Sequence, residues 1–317
     1  MQKPIVVVGS INLDLVARAD HLPQPGETII GTSFTTFSGG KGANQAVAVA
    51  KLGYPVAMVG NVGDDGFGRQ LLQAMRDAGV DTTFVSAVPG SSGVALITTG
   101  RRGENNIVVV PGANGLLTPQ LVEKASAALR GAGFLLAQLE IPLETVEYLA
   151  VFAVRHGVPL MLDPAPAREL PAALLRNVTW ITPNETEAEA LLKAKVKTED
   201  DAAIFSPVDQ LSALGAENVL LKLGARGCAI AEGHQAKQRI RVPAFPVPAV
   251  DTTAAGDAFN AAFAVGLLRG KTAMQSAVFA SAVAAISVTR AGAQPSLPTA
   301  IEVEEFLQRH SDTGREP

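Results

Sequence analysis

The chain has 317 residues and a mass of 32.8 kDa, enough for one large α/β domain or two smaller ones. Apolar residues make up 47% of it, and the formal net charge of -4 comes without a block of Lys or Arg, which disfavours a nucleic-acid-binding surface. The single cysteine, Cys228, excludes an intramolecular disulfide and fits a reducing cytoplasm.

Two apolar segments are candidates for a membrane signal, and neither carries a clear one. The apolar run Ile5–Val8 is too short for a secretory signal sequence. The segment Lys271–Arg290 approaches the length of a membrane span, but it contains one glutamine and several serines among its alanines. We expect a tightly packed interior helix there, in a soluble cytoplasmic protein.

Short apolar runs rich in β-branched residues alternate with helical patterns along the chain. The predicted strands are Ile5–Val8, Ala57–Gly60, Leu135–Gln138, Leu160–Asp163, Trp180–Thr182 and Val219–Lys222. The predicted helices are Gly42–Lys51, Phe67–Ala78, Pro119–Leu129, Leu143–Arg155, Glu185–Leu192, Val208–Leu214, Gly256–Arg269 and Thr272–Val288. This alternation predicts an α/β fold with a mainly parallel sheet and helices on both faces.

Two segments interrupt the alternation. Residues from about Leu15–Phe37 and Gly93–Val110 read as extended strands joined by Gly and Pro turns. We expect a small β lid over the ligand edge of the sheet, and irregular surface loops are the alternative. No linker divides the chain, so one domain over residues 1–317 is expected.

The segment Asp251–Asp257 is the most informative part of the chain. Its small residues let an anionic group approach the backbone, and the first turn of the helix that follows offers unpaired N–H groups. Asp257 stands at the mouth of this site, where it could take a proton from a group that attacks phosphorus. The segment suggests phosphoryl transfer.

A glycine-rich segment, Gly39–Asn44, precedes an apolar helix. It is neither a Walker P-loop nor a dinucleotide fingerprint. Lys41 and Asn44 present hydrogen-bond donors at the helix start, although a simple glycine turn before a helix explains the segment equally well.

Polar residues follow several predicted strands, where ligands bind in parallel sheets. Asn12 and Asp14 could clamp vicinal hydroxyls, and Glu140 and Asp163 lie at comparable positions. Ordinary turn residues are the alternative. Asn184 and Glu187 either cap the next helix or lie near metal-bound phosphate, with Glu187 ordering water around Mg²⁺.

Taken together, these segments resemble the ribokinase family of carbohydrate kinases, also called the PfkB family, from about Ile5 to Leu307. Both family signatures are present, at Gly39–Ala46 and Asp251–Asp257. Shorter matches occur at Asn184–Glu187, Leu223–Gly227 and Thr289–Ser296.

The resemblance implies transfer of the γ-phosphate of ATP to the primary hydroxyl of a sugar, with Mg²⁺ and a monovalent cation such as K⁺. It makes Asp257 the base and the N–H groups of Ala254, Ala255 and Gly256 the anion hole. The residues that it implies for the sugar are Asn12, Asp14, Gly40, Lys41, Asn44, Glu140 and Asp257. Those for the nucleotide are Asn184, Lys222, Gly224, Arg226, Gly227, Gly256 and Ser281. Those for metal ions are Glu187 for Mg²⁺, through water, and Asp251, Thr253, Ser287, Arg290, Gly292 and Ser296 for K⁺.

Two positions depart from common family patterns. Many members have glycine where this chain has Ala254, which narrows the loop geometry slightly. Ser281 replaces a histidine found near the adenine in some ribokinases, which leaves nucleotide affinity less defined.

The first signature helps to choose the substrate. Fructokinase-like members usually have Gly-Gly-Ala-Pro-Ala-Asn at this signature, whereas this chain has Gly-Gly-Lys-Gly-Ala-Asn-Gln. Kinases of phosphorylated sugars share Gly-Gly-Lys-Gly but tend to have Ile-Asn-Val after it. Asp14 and Glu140 favour a neutral, hydroxyl-rich ligand, because carboxylates repel a phosphate. D-Ribose is the first choice, with deoxyribose or another sugar such as fructose as the alternative.

Other classes of function remain open. A non-catalytic sugar-binding regulator could use the same fold, and an NAD-dependent enzyme is disfavoured by the missing fingerprint. The exposed strand edges of a β lid could pair two copies of the chain into a homodimer.

Overall fold

The computed structural model describes residues 2–101, 103–198, 200–233 and 238–312. In this part of the chain the strands are β1 Ile5–Val8, β2 Asn12–Arg18, β3 Ser33–Gly39, β4 Val56–Gly63, β5 Asp81–Val88, β6 Gly93–Thr99, β7 Asn105–Val110, β8 Phe134–Ala137, β9 Leu160–Leu162, β10 Trp180–Ile181, β11 Asn218–Lys222, β12 Cys228–Glu232 and β13 Gln238–Val242. The α-helices are α1 Lys41–Lys51, α2 Gly66–Asp77, α3 Pro119–Glu123, α4 Ser126–Gly131, α5 Leu143–His156, α6 Ala172–Leu175, α7 Glu185–Leu192, α8 Asp201–Ala213, α9 Ala255–Leu268, α10 Ala273–Val288 and α11 Ala300–Asp312.

The larger sheet has the strand order β13-β12-β11-β10-β9-β8-β1-β4-β5 in the described residues. The pairs from β11 through β5 are parallel, whereas β12 and β13 add an antiparallel edge. The mainly parallel sheet is thus confirmed, and all six predicted strands belong to it. The prediction missed β5 and β13, which form the two edges, and β12, which lies between β13 and β11.

The smaller sheet contains β3-β2-β6-β7 in that order. β2 pairs with β3 antiparallel and with β6 in parallel, and β6 pairs with β7 antiparallel. Both segments predicted as lid strands therefore supply strands to one sheet, so surface loops are the wrong interpretation for them. The first segment contains a loop between β2 and β3 and begins its strand at Asn12, three residues before the predicted start.

Helices cover both faces of the larger sheet because its strands alternate their side chains between two cores. Along β1, Ile5 and Val7 belong to one hydrophobic cluster, while Val6 and Val8 belong to the other. The first cluster draws residues from α1, α2, α9, α10 and α11. The second draws them from the helices between α3 and α8.

Helix α10 is the segment that most resembled a membrane span. It packs along α9 so closely that a Cβ added at Gly266 would lie 2.8 Å from Ser276 Oγ. The expected interior helix is confirmed, and within the described residues no helix is both long and apolar enough to cross a membrane.

Some helix boundaries differ from the prediction for local reasons. The predicted helix Pro119–Leu129 is divided between α3 and α4. Helix α8 begins at Asp201, seven residues before the predicted start, because Asp200 caps the Ala203 N–H at 2.8 Å and the helix accommodates Pro207. Helix α11 was not predicted, although Val303 and Phe306 anchor it in the core.

Candidate active site

The predicted polar residues meet at the carboxyl ends of the parallel strands. Glu140, which follows β8, is the centre of one group. Its Oε2 accepts hydrogen bonds from Ser10 Oγ at 2.6 Å, from the Lys41 backbone N–H at 3.3 Å and from Asn12 Nδ2 at 3.4 Å. One carboxylate thus connects the end of β1 with the first residue of α1.

Asn12 is fixed by a residue that the sequence analysis missed. The Asn114 Nδ2 donates to Asn12 Oδ1 at 2.6 Å, and the Asn114 side chain also bonds both backbone groups of Ile11. Asn114 is buried and follows a Pro-Gly turn after β7. Only this turn could have drawn attention to it.

Asp14 lies on β2 and is buried beside the same group. Burial, followed by the nearby charges of Glu140 and Asp257, raises the pKa of Asp14 to about 7. Burial and like charges disfavour the ionised form of this carboxyl group. It is suited to binding the hydroxyl groups of a ligand, because they would supply the hydrogen bonds that water gives to an exposed carboxylate.

Glycines bring the lid and the start of α1 close together. A Cβ at Gly39 would lie 2.4 Å from Asp14 Oδ2. At Gly40, the cap of α1, φ is +86° and a Cβ would lie 2.6 Å from the Asn12 backbone nitrogen. Both positions therefore exclude a side chain, which explains the glycine pair in physical terms.

Asp257 lies in the first turn of α9 and is buried, with 5% of its surface exposed. Asn44 Nδ2 donates to its Oδ2 at 3.0 Å, and Gln45 Nε2 lies 3.3 Å from its Oδ1. Burial raises the pKa of Asp257 to about 6, although the Lys41 ammonium lowers it in part. The carboxylate is therefore mostly ionised at neutral pH and can accept a proton.

Lys41 is the cation shared by this carboxylate-rich site. Burial lowers its pKa, but the charges of Asp257, Asp163, Glu140 and Glu187 outweigh that effect and raise it. The ammonium therefore stays protonated and offsets the repulsion among the carboxylates.

The turn before α9 differs from the expectation in one backbone N–H group. Ala254 caps the helix in the left-handed region, with φ of +60°, a conformation that costs an alanine about 1 kcal/mol. The Ala255 N–H, expected to be free, donates to Thr252 O at 3.2 Å. The Gly256 N–H remains in the first helical turn, where no intrahelical acceptor exists.

A second group of polar residues lies at the carboxyl ends of β9, β10 and β11. Lys222 Nζ forms a 2.9 Å ion pair with Asp163 Oδ1, and both side chains are largely buried. Asn184 and Glu187 form a reciprocal cap at the start of α7, in which the Glu187 carboxylate accepts from the Asn184 N–H and Nδ2. Burial, which outweighs the charge of Lys222, raises the pKa of Glu187. The capping interpretation of Asn184 is thus confirmed, and it leaves a metal-associated role open.

A cavity of about 480 Å³ opens beside Lys222, between the turn after β11 and helices α9 and α10. Its lining is mostly apolar. The predicted nucleotide residues among those that line it are Lys222, Gly224, Gly227, Gly256 and Ser281. Among the described residues, the buried Ser281 Oγ has no hydrogen-bond partner.

Besides Asn184, Arg226 is a predicted nucleotide residue that does not line the cavity. Its guanidinium bonds the backbone oxygen and the hydroxyl of Thr198 and pairs with Glu185 at 2.7 Å. Its observed contacts hold the turn after β11 against the loop that follows α7.

The residues predicted for a monovalent cation surround a loop after α10. Asp251 accepts from the Thr253 N–H and Oγ1 and, through its other oxygen, from the Gly292 N–H at 2.8 Å. Ser287 Oγ and Ser296 Oγ lie 2.8 Å apart in the interior. The Arg290 side chain pairs with Glu302 at 2.5 Å, so any contact of this residue with a cation would fall to its backbone carbonyl. No cluster of three or more metal-binding side chains occurs in the described residues.

Comparison with known proteins defines the family. Residues 2–300 match the model described as pfkB family carbohydrate kinase. The chain belongs to this family. It is 42% identical to a ribokinase of Haemophilus influenzae over 97% of this chain and 99% of that one. A deoxyribokinase of Salmonella typhi is 39% identical over 96% of this chain and 98% of that one.

A solved structure supports the fold as well as the family. Ribokinase of Arabidopsis thaliana, complexed with ribose and ATP, is 37% identical and has a TM-score of 0.90, with 97% of this chain and 99% of that chain covered. Membership in the pfkB family makes this chain a carbohydrate kinase with the ribokinase-type fold that the sequence predicted, and excludes an NAD-dependent enzyme as its assignment.

Proposed function

We propose that this protein transfers the γ-phosphate of ATP to the 5-hydroxyl of D-ribose, giving D-ribose 5-phosphate and ADP. The observation that carries the proposal is the position of Asp257. Its carboxylate is held by Asn44 on the side of Asp14 and Glu140, while its neighbour Gly256 lines the cavity beside Lys222. One residue thus lies between a hydroxyl-binding site and a nucleotide-sized cavity.

The chemistry needs few groups. As the sugar oxygen attacks the γ-phosphorus and the bond to the β-phosphate oxygen breaks, Asp257 takes the hydroxyl proton. The transfer is mostly positioning and electrostatic stabilisation, so a carboxylate with a pKa of about 6 suffices if proton transfer is late. The Gly256 N–H and the start of α9 stabilise charge on the phosphoryl oxygens.

The sugar site fits a neutral polyol. Asn12, Asp14 and Glu140 offer acceptors for hydroxyl groups, and the buried Asn44 Oδ1 has no partner among the described residues. A sugar hydroxyl would satisfy that acceptor. The resemblance to a deoxyribokinase supports 2-deoxyribose as the alternative, since one hydroxyl separates the two sugars.

Mg²⁺ and K⁺ fit the residues predicted for them. Both oxygens of Glu187 already accept from Asn184, so Glu187 would hold Mg²⁺ through water. Carbonyl and hydroxyl oxygens around Asp251, the donor type that large cations prefer, would hold K⁺ beside the anion hole. Mg²⁺ would neutralise phosphate charge, and K⁺ would polarise the hole without touching substrate.

Assembly and location complete the proposal. We infer a cytoplasmic homodimer formed through the small sheet, whose outer strand β7 exposes Ile107, Val108, Val109 and Val110. We also infer that this sheet closes over the sugar as a lid within one domain.

An ADP-release assay tests the activity. The enzyme would be supplied with ATP and Mg²⁺ and with ribose, 2-deoxyribose, fructose or a nucleoside, with and without K⁺. We expect the highest kcat/KM with ribose and stimulation by K⁺. A preference for deoxyribose would select the alternative, and no ADP release with any sugar would favour a non-catalytic regulator.

A further inference from the structure

Gln45 lies within the first signature, but the resemblance gives it no role. It follows Asn44 on α1 and is 1% exposed, so it does not open onto either substrate site. Its side-chain Nε2 lies 3.3 Å from Asp257 Oδ1 and 3.3 Å from Asp163 Oδ2. The two hydrogens of one amide can therefore serve two buried carboxylates.

We propose that Gln45 is a positioning residue for Asp257, because its amide bridges the carboxylates of Asp257 and Asp163 and fixes the rotation of the base. With Asn44 donating to Oδ2 at 3.0 Å and Gln45 to Oδ1, each oxygen of the carboxylate has its own donor. The inference rests on the proposed function, in which Asp257 accepts the proton of the sugar hydroxyl.

A hydrogen bond from Gln138 fixes the orientation of the Gln45 amide. Gln138 Nε2 donates to Gln45 Oε1 at 2.7 Å, and Gln138 is completely buried at the end of β8. Since the Gln45 oxygen is occupied there, its nitrogen must face the two carboxylates. Gly9 makes room for this arrangement, because a Cβ at that position would lie 2.1 Å from Gln138 Oε1.

The bridge also joins the base to the nucleotide side of the site. Asp163 accepts from Gln45 through Oδ2 and from Lys222 through Oδ1 at 2.9 Å. A continuous set of buried contacts therefore runs from Gln138 through Gln45 to Asp257 and to Lys222. The charge of Asp163 raises the pKa of Asp257, so the two carboxylates repel each other. A donor between them lowers the free-energy cost of keeping both ionised.

Charges from four elements face Asp257, so its titration reports on this bridge. They are Lys41 on α1, Asp14 on β2, Glu140 after β8 and Asp163 after β9. A donor to the ionised form lowers the pKa of a carboxyl group. Loss of the Gln45 amide should therefore move the titration of Asp257 to higher pH, whereas a role in folding alone would leave it unchanged.

The test replaces the amide with a side chain of similar length that cannot donate. Gln45→Met is compared with Gln138→Met, which should free the Gln45 amide to rotate, and with Gln73→Met on the exposed face of α2 as the matched control. For Gln45→Met we expect kcat with ribose to fall about 10- to 100-fold, as expected for a misplaced reacting group, with ribose KM changed less than about threefold. The acid limb of the pH profile should move to higher pH, and Gln138→Met should show the same changes on a smaller scale.

A second measurement separates this inference from the proposed function. Carboxyl ¹³C NMR, with the Asp257 signal identified from its loss in Asp257→Asn, follows the same titration without any substrate. An upward shift in Gln45→Met supports the bridge even if ribose is not the substrate. An unchanged titration and a kcat within about twofold of wild type, in a protein that phosphorylates ribose, would overturn the role of Gln45 and leave the kinase assignment intact. If Gln45→Met does not fold, Gln138→Met decides by the same criteria.

Discussion

Lys222 and Asp163 form a 2.9 Å ion pair between the ends of β11 and β9, with 13% and 3% of their side-chain surfaces exposed. The same ammonium lies beside the start of α9, since a Cβ at Gly256 would lie 3.4 Å from Lys222 Nζ. Lys222 therefore stabilises a buried carboxylate and stands where nucleotide phosphates would be placed by the proposed function.

Replacing Lys222 with Met should affect stability and nucleotide binding separately. Removing the ammonium leaves the buried Asp163 charge without its ion-pair partner and with only the Gln45 amide as a donor, which costs up to about 3–5 kcal/mol of unfolding free energy. The KM for ATP should also rise at least about tenfold, because a phosphate contact is lost. Urea unfolding and ATP titrations of ADP release measure the two effects.

The double variant Lys222→Met with Asp163→Asn separates the two roles. It should recover most of the lost stability, because no unpaired carboxylate remains, but not the affinity for ATP. If the double variant restored the ATP KM as well, Lys222 would act only as a structural partner of Asp163.

The pH dependence of sugar phosphorylation should reflect two raised carboxyl pKa values. Burial raises the pKa of Asp257 to about 6 and that of Asp14 to about 7, so kcat/KM should rise with pH and level off above about pH 8. Asp257→Asn should lower kcat by about 10²- to 10⁴-fold across this range, as loss of a general base does. Asp77→Asn on the exposed end of α2 is the control, and a kcat for Asp257→Asn within tenfold of wild type would disprove the assigned base.

Asp14→Asn should stabilise the free protein at neutral pH while weakening sugar binding. Burial raises the pKa of Asp14 from 3.8 to about 7, so the folded state binds the proton more tightly than the unfolded chain does. The resulting penalty is absent below about pH 4, grows between pH 4 and 7 and reaches at most about 4 kcal/mol above that. Thermal unfolding at about pH 4 and pH 8 should show a gain for the variant only at the higher pH, whereas equal effects at both would contradict the shift.

Lys51 connects the sugar-side helix to the predicted cation loop, and this connection should govern the response to K⁺. At the end of α1, Lys51 Nζ donates to the carbonyl oxygens of Gln294 and Leu297, each at 2.9 Å. In Lys51→Met these two carbonyl oxygens lose the hydrogen bonds from the Lys51 ammonium group, and the loop becomes less ordered. The K⁺ concentration needed for half-maximal stimulation should rise several-fold, with Lys124→Met as an exposed control. An unchanged K⁺ response with a normal fold would separate this loop from cation activation.

The sequence predicted the buried centre of the fold because that part depends on local patterns. Short β-branched runs such as Ile5–Val8 favour buried strands, and the small residues before α9 permit a close approach to the backbone. β13 escaped prediction because Gln238, Arg239 and Arg241 interrupt its apolar residues, and β12 because Ala229 and Ala231 have little preference for strands. Their identity as strands comes from pairing, of β12 with β11 and of β13 with β12, and not from their own composition.

The candidate site was predictable in its chemistry but not in its contacts. The signatures marked Asp257 and Asn44, yet the bond between them joins residues 213 positions apart, and Gln45 reaches the same carboxylate across 212. Asn114 lies in neither signature and gains its role only because β6 pairs with both β2 and β7, which brings the turn after β7 to the start of β2. Contacts of this length are set by sheet order, which no local pattern records.

The exposed apolar strand of the small sheet should mediate dimer formation. All six residues of β7 are exposed at the sheet edge, and Ile107 and Val108 retain 53% and 58% of their surfaces. An unpaired apolar edge of this kind favours pairing with a second copy, and a lysine there adds a charge that opposes such pairing. Val109→Lys should therefore shift the protein to monomer in sedimentation experiments at micromolar concentration, whereas Val154→Lys on the exposed face of α5 should not. If the sheet closes over ribose as a lid, the KM for ribose should also increase in the monomeric variant. This increase relative to wild type should exceed any increase in the KM for ATP. A wild-type protein that sediments only as monomer would remove the dimer and leave the apolar edge without a partner.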